Sequence, residues 1–334
     1  MESTKTKILK LLRSEKGYLS GQELCEKLGV SRTAVWKYMK QLKEEGYQIQ
    51  AVQNKGYCLV DVPDVLGESE IKSRLTTKWA GQEVYFQGEM DSTNTQAKRL
   101  AEEGAVSGTL VVTDCQSKGK GRRGRIWESP RGSSVYMTLL MRPDILPQRA
   151  SMLTLVMGLS VAQAVQKLLD SEKSTQKVQI KWPNDVVLNR KKLVGILTEM
   201  SAQIDYIEYL VIGVGINVNT REFPEELQDK ATSLWAELGH SVNRAELIAQ
   251  IMKTFEENYL IFEKTQDLSG LMKEYEAVSA NYQKPVKVLE PGKEYTGIAR
   301  GINEMGELLV EREDHRIEQV YAGEVSVRGL YSYV

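Results

Sequence analysis

The chain has 334 residues, 44 Lys and Arg against 45 Asp and Glu, and a formal net charge of −1. Its 41% apolar and 27% charged content excludes a largely disordered or fibrous protein, and its length predicts two or three domains. The most apolar stretch, Met152–Val165, is interrupted by Thr154, Ser160 and Gln163, and no apolar segment follows Met1–Lys5, so neither a membrane span nor a signal peptide is expected.

Near-neutral charge hides an asymmetry. Residues 1–62 carry eleven Lys and Arg against seven Asp and Glu, an excess of +4 that leaves −5 for the rest. A basic leading segment on an acidic body points to nucleic acid. Thr4–Leu12 reads as a short helix with Ile8, Leu11 and Leu12 inward. Ser20 to Glu23 matches a capping box, Gly29-Val30 a turn, and Ser31 the cap of a second helix with Val35, Met39 and Leu42 as its apolar stripe. This is a helix-turn-helix. Its second helix offers Arg32, Thr33, Lys37 and Lys40 off the stripe, residue types that contact bases and phosphates in a major groove. Trp36 and Tyr38 read as packing residues. Tyr47–Val52 and Tyr57–Val60 flank Asn54-Lys55-Gly56, a hairpin with a basic tip where a winged helix has its wing.

Asp61–Asp64 reads as a linker. Strands are expected at 84–88, 109–114, 134–141, 178–182, 194–200 and 209–217, and helices at 93–103, 148–169, 244–264 and 267–281. The two types do not alternate regularly, which favours an α+β sheet over a doubly wound parallel one. From Pro285 the chain turns into short strands with turns at Pro291-Gly292, 303–306 and 313–314.

The chemistry concentrates in Gln116–Trp127. Lys118 to Arg125 hold five cations and three glycines, and no acid intervenes before Glu128. Glycines bring backbone N–H groups close to a ligand, and arginines present forked donors. This is an anion-binding loop, yet neither a Walker loop nor a dinucleotide fingerprint. Asp91-Ser92-Thr93-Asn94 precedes a helix whose N–H groups can meet an anion. Lys181-Trp182-Pro183-Asn184-Asp185 places a lysine at a strand end, and Lys192–Leu197 and Gly213–Asn219 put glycines in strand-like runs. Cys25, Cys58 and Cys115 lie far apart and only His240 and His315 occur, so a reduced, cytoplasmic chain is expected, with neither disulfides nor a metal site.

In this order these pieces resemble the bifunctional biotin–protein ligases that also repress biotin-operon transcription. The resemblance implies a winged helix over 1–62, a mixed α/β ligase domain over 63–282 and a small SH3-like β-barrel over 283–334. It implies that ATP and biotin form biotinyl-5′-AMP, with Mg²⁺ accompanying ATP. The adenylate then acylates a lysine of a biotin carboxyl carrier protein domain of acetyl-CoA carboxylase. The adenylate also serves as corepressor, promoting homodimerisation and binding to operator DNA. By position, Ser92, Thr93, Asn94 and Gln116 contact biotin. Gly119, Lys120, Gly121, Arg122 and Arg125 fold over the adenylate, Lys181 sits at the carboxylate and α-phosphate, and Gly195, Gly215 and Asn217 line the floor. Lys181, Arg122 and Arg125 form the catalytic set, and Asp185 is a candidate magnesium ligand or ribose partner. The DNA-binding set is Gly21, Ser31, Arg32, Thr33, Lys37, Lys40 and Lys55. Lys120 stands where the family loop has arginine. A lipoate–protein ligase and a ligand-sensing regulator without ligase activity are the alternatives.

Overall fold

The computed structural model describes residues 2–15, 17–290, 292–322 and 326–329. The expected Pro291-Gly292 turn and the last residues of the expected C-terminal module lie partly outside them. The chain divides into two compact units, Met1–Thr76 with Asn243–Ala249, and Thr77–Val242 with Gln250–Val334.

The first unit holds α1 (Thr4–Ser14), α2 (Gly21–Leu28), α3 (Arg32–Glu44), β1 (Gln48–Val52), β2 (Gly56–Asp61) and α4 (Glu68–Arg74). A serine starts each of the first three helices. Ser3, Ser20 and Ser31 accept from the N–H groups of Thr6, Glu23 and Ala34 at 3.1, 3.1 and 3.2 Å. Gly29 ends α2 at φ 65°, a left-handed conformation that glycine adopts without strain. The apolar faces converge on Ile8, Leu12, Leu24, Val35, Met39 and Leu42. Tyr38 packs against this core as expected. Trp36 does not; it is 59% exposed, because it lies about a quarter turn round α3 from the Val35–Met39–Leu42 stripe. Val62 and Val65 pack on the same core, so the chain does not leave the unit at Asp61.

Helix α4 carries Glu70, which is 2% exposed and surrounded by donors. Arg13 Nη2 lies at 2.6 and 2.7 Å from its oxygens, Arg74 Nε at 2.7 Å and the Tyr47 hydroxyl at 2.6 Å. Burial and this carboxylate together push the Tyr47 phenol well above its ordinary range. Glu70→Gln keeps the shape but removes the charge opposite two arginines. It is expected to cost about 2 kcal/mol, read by urea unfolding of the full chain; an unchanged midpoint would show that the cluster contributes nothing.

The second unit is built on a seven-stranded sheet of β3 (Val84–Gln87), β4 (Leu110–Thr113), β5 (Val135–Met141), β6 (Val178–Lys181), β7 (Asp185–Leu188), β8 (Lys191–Ala202) and β9 (Ile207–Ile216). The order is β3-β4-β5-β9-β8-β7-β6; β3 and β4 run parallel and every other pair antiparallel. Successive residues of β8 show how the two faces are covered. Glu199 bonds to Asn94 and Lys98 of α5 (Thr93–Glu102), whereas Thr198 Oγ1 meets Thr154 of α6 (Ala150–Ser171) at 2.7 Å. Among the described residues the helix running from Pro147 to Ser171 is the one long and apolar enough to cross a bilayer, and 78% of its most apolar window is buried inside the fold. It is a core helix.

The unit also contains α7 (Leu234–Leu238), α8 (Arg244–Thr265, its first residues belonging to the first unit) and α9 (Met272–Ala277). The helix expected over 267–281 shrinks to α9. Strand β7 was not expected, because its four residues follow directly on the Pro183-Asn184 turn. A second, antiparallel sheet has the order β13-β12-β11-β10-β14, from β10 (Pro285–Glu290), β11 (Lys293–Ile302), β12 (Leu308–Glu311), β13 (Ile317–Val320) and β14 (Ser326–Gly329). Trp182, fully buried at the end of β6, donates its indole N–H to Gly306 O between β11 and β12 at 3.0 Å.

Candidate functional site

The site is assembled where α5 begins. Ser92 occupies the cap position of α5, but its side chain makes no cap bond. Gln116, just past β4, supplies that acceptor: the Thr93 N–H and hydroxyl reach its Oε1 at 2.9 and 3.2 Å. The Gln116 amide N–H in turn donates to Ser129 Oγ at 2.8 Å. Asn94 is committed to the protein. Its amide donates to Leu197 O and Glu199 at 3.1 and 2.7 Å, and its oxygen accepts from Thr138 at 2.7 Å. Burial would raise the Glu199 carboxyl, but hydrogen bonds from Lys98 and Asn94 outweigh it and hold the group below its usual range.

The basic loop folds as a small hairpin. Lys120 bridges Ile126, the Gly121 N–H donates to Arg125 O at 2.7 Å, and the Trp127 N–H donates to Gly119 O at 3.0 Å. Its tip is one 3₁₀ turn, Arg122–Gly124, with Arg123 left-handed at φ 58°. The end of the hairpin lays the Trp127 ring over paired glycines of β8 and β9. A Cβ on Gly195 would lie 2.8 Å from that ring and one on Gly215 2.6 Å, so only glycine admits the contact. Lys192 Nζ lies 5.4 Å from the same ring and 2.7 Å from Asp185.

Two cations are partly withdrawn from water here. Arg122 donates to Asn184 Oδ1 at 2.7 Å, and burial lowers its affinity for a proton. Lys181 is 6% exposed at the end of β6. Burial pushes its ammonium down to about 8; Lys192, Arg328 and Arg125 add to the effect and Asp185 opposes it. A charge held in a low-dielectric setting acts more strongly on a nearby anion than one in water.

The result is a cavity of about 50 Å³. Ser92, Thr93, Asn94 and Gln116 form one wall, Lys120, Gly121 and Arg122 the rim, and Gly195 and Gly215 the floor. Gly119, Lys181, Asn217 and Arg125 lie off its lining. Gly119 is needed for the hairpin, where a Cβ would come within 2.2 Å of Trp127 O. Asn217 donates to Thr232 O at 3.1 Å, and Arg125 is exposed.

In the first unit, Arg32, Thr33, Lys37 and Lys40 are exposed along one face of α3. Ser31 caps that helix, and Gly21 opens α2. Lys55 at the hairpin tip lies 5.9 Å from the Tyr18 ring.

Three family models match the chain in order. They are described as HTH domain (residues 4–58), Biotin/lipoate A/B protein ligase family (86–217) and Biotin protein ligase C terminal domain (284–328). The bifunctional ligase/repressor BirA of Bacillus subtilis is 39% identical over 331 residues, covering 98% of this chain and 100% of that one. The chain belongs to the bifunctional biotin–protein ligase/repressor family. BirA of Escherichia coli is 33% identical over 92% of each chain. The solved biotin protein ligase of Aquifex aeolicus, in complex with biotin and ATP, superposes with a TM-score of 0.64 at 34% identity, covering 74% of this chain and 99% of its own. Membership of the ligase/repressors gives the chain a protein substrate and a DNA-binding head. Of the further residues that line the cavity of this ligase/repressor, Trp127, Asn184 and Lys192 bring aromatic or polar side chains. All three stand inside the motifs read from the sequence; only the fold reveals that they turn inward.

Proposed function

We propose that this chain is an ATP-dependent biotin–protein ligase that forms biotinyl-5′-AMP and transfers biotin to a lysine of a biotin carboxyl carrier protein domain. It also represses biotin genes, with the adenylate as corepressor. In the first step a biotin carboxylate oxygen attacks the α-phosphorus of ATP and pyrophosphate leaves. In the second the carrier lysine amine attacks the acyl carbon; an amide forms, AMP leaves and a proton is released. The first step brings two anions together, so cations fixed before the reaction lower its barrier.

The observation that carries this reading is the anion site of Lys181 and Arg122 beside a glycine-floored cavity. Lys181 supplies charge at the joining carboxylate and α-phosphate. Arg122, steadied by Asn184, and Arg125 answer the remaining phosphate charge, while Ser92, Thr93 and Gln116 hold biotin. Ligand cavities measure several hundred Å³, far above the 50 Å³ here. Trp127 lies over Gly195 and Gly215 in this cavity, and in this reading the hairpin folds over the adenylate. Among the described residues no group of three His, Cys, Asp or Glu side chains is placed to hold a metal ion. A magnesium ion would therefore be held mainly by the ATP phosphates, with Asp185, paired with Lys192 beside the cavity, as the candidate protein carboxylate.

The first unit, with the winged helix of residues 1–62, then binds operator DNA, and the second performs the chemistry, with residues 283–334 as its C-terminal module. The liganded chain works as a cytoplasmic homodimer, and its carrier belongs to acetyl-CoA carboxylase. The test is pyrophosphate exchange into ATP with biotin, with lipoate and with neither acid. Exchange with biotin alone is expected. Exchange with lipoate alone would move the chain to the sister ligases, and no exchange from folded protein would leave a sensing regulator.

A further inference from the structure

The exposed face of α3 contains a residue that its DNA-binding reading leaves unused. Trp36 stands between Arg32 and Lys40 at helical spacing and is 59% exposed. An indole is the largest apolar side chain, and leaving it in water forgoes the burial that Tyr38, two residues on, obtains. Lys40 lies beside it, with Nζ 5.8 Å from the ring centroid. An exposed cation–π pair of this kind is a weak compensation.

The surroundings identify the occupant. Arg32, Thr33, Lys37 and Lys40 ring the indole with donors and positive charge, and the leading 62 residues carry +4 overall. Such a surface is complementary to a polyanion, and its helix is capped and packed as a major-groove reader is. An uncharged apolar ring at the centre of a cationic face contributes nothing to phosphate neutralisation. It matches the one apolar feature of the major groove, the 5-methyl group of thymine.

We propose that Trp36 is a base-reading residue whose indole lies against a thymine 5-methyl group, flanked by phosphate contacts from Arg32, Lys37 and Lys40. The proposal rests on the DNA-binding reading of the first unit. It differs from that reading in what it predicts: Trp36 governs sequence preference, whereas the lysines govern salt dependence.

The experiment selects duplexes from a random pool with the full-length chain incubated with biotin and ATP. Each selected thymine is then replaced by uracil, which removes only the methyl group. Wild type is expected to lose about fourfold in affinity at one symmetry-related pair of positions, the transfer free energy of one methyl-sized group. Trp36→Ala is expected to bind the thymine duplex about tenfold more weakly and to ignore the uracil replacement, with its salt slope unchanged. Trp36→Phe keeps a reduced methyl preference, and circular dichroism melts confirm that both variants fold. If wild type enriches no duplex, the DNA-binding reading itself fails. If wild type enriches a duplex and Trp36→Ala shows the same affinity and uracil penalty, the proposal is overturned. It is equally overturned if wild type shows no uracil penalty, or if Trp36→Ala abolishes self-association without DNA, which would make the indole a protein contact.

Discussion

Lys181→Ala is expected to slow biotin-dependent pyrophosphate exchange by about 10²–10³, the usual loss on removing one fixed transition-state donor. The size of the effect follows from where the lysine sits. At 6% exposure its charge is poorly screened, and alanine leaves no charge in its place. The same burial makes the site pH-sensitive. The Lys181 ammonium is pushed down to about 8, so the unliganded protein loses this charge as pH rises through that value. Exchange at low substrate is therefore expected to fall between pH 7.5 and 9 in wild type. Lys181→Arg, whose charge persists, is expected to flatten that limb while lowering the maximum rate. Stability moves the other way. The unfolded chain holds the proton to about 10.4, so between about 8 and 10.4 it binds more protons than the native state, and the Lys181 contribution to stability rises with pH. An activity decline that tracked a loss of fold instead would refute this account. So would near-normal exchange by Lys181→Ala.

Much of the site could be read before any fold was known, because its chemistry is local. Five cations and three glycines in eight residues announce an anion loop wherever the chain carries them. The serine caps of the first three helices are equally local, since each cap bond spans three residues. What sequence did not disclose is joined across long separations. Arg13, Tyr47, Glu70 and Arg74 become one buried cluster only after α1 and α4 pack, and a lone glutamate in a charged stretch gives no sign of it. Asn184 reads as a turn residue until Arg122 reaches it from 62 positions away. Trp36 reads as a packing residue, yet it is exposed. Helical phase places it outside, and phase was the better guide.

Gly213→Ala is expected to be strongly destabilising, because a single methyl group there displaces a buried amide. Gly213 lies on β9, paired with Thr138 of β5 on one side and Leu197 of β8 on the other. Asn94 from α5 crosses directly above it, taking a hydrogen bond from Thr138 and giving one to Leu197 O. The three strands and the helix are thus stitched together over a position without a side chain. A Cβ there would come within 2.1 Å of Asn94 Oδ1 and 2.9 Å of its Cγ, so the amide must leave. Its bonds to Thr138, Leu197 and Glu199 then break in a buried setting, at about 1 kcal/mol or more each with unsatisfied partners left behind. A loss of about 3–5 kcal/mol is expected in urea unfolding. Because Ser92 and Thr93 immediately precede Asn94, biotin-dependent exchange should fall even where the variant remains folded. The clash makes a sharper demand than the loss alone. In Asn94→Ala the amide is already gone, so adding Gly213→Ala should cost little more, and the two changes should be strongly non-additive. Simple additivity would mean that the methyl group is harmful for a reason other than displacing Asn94.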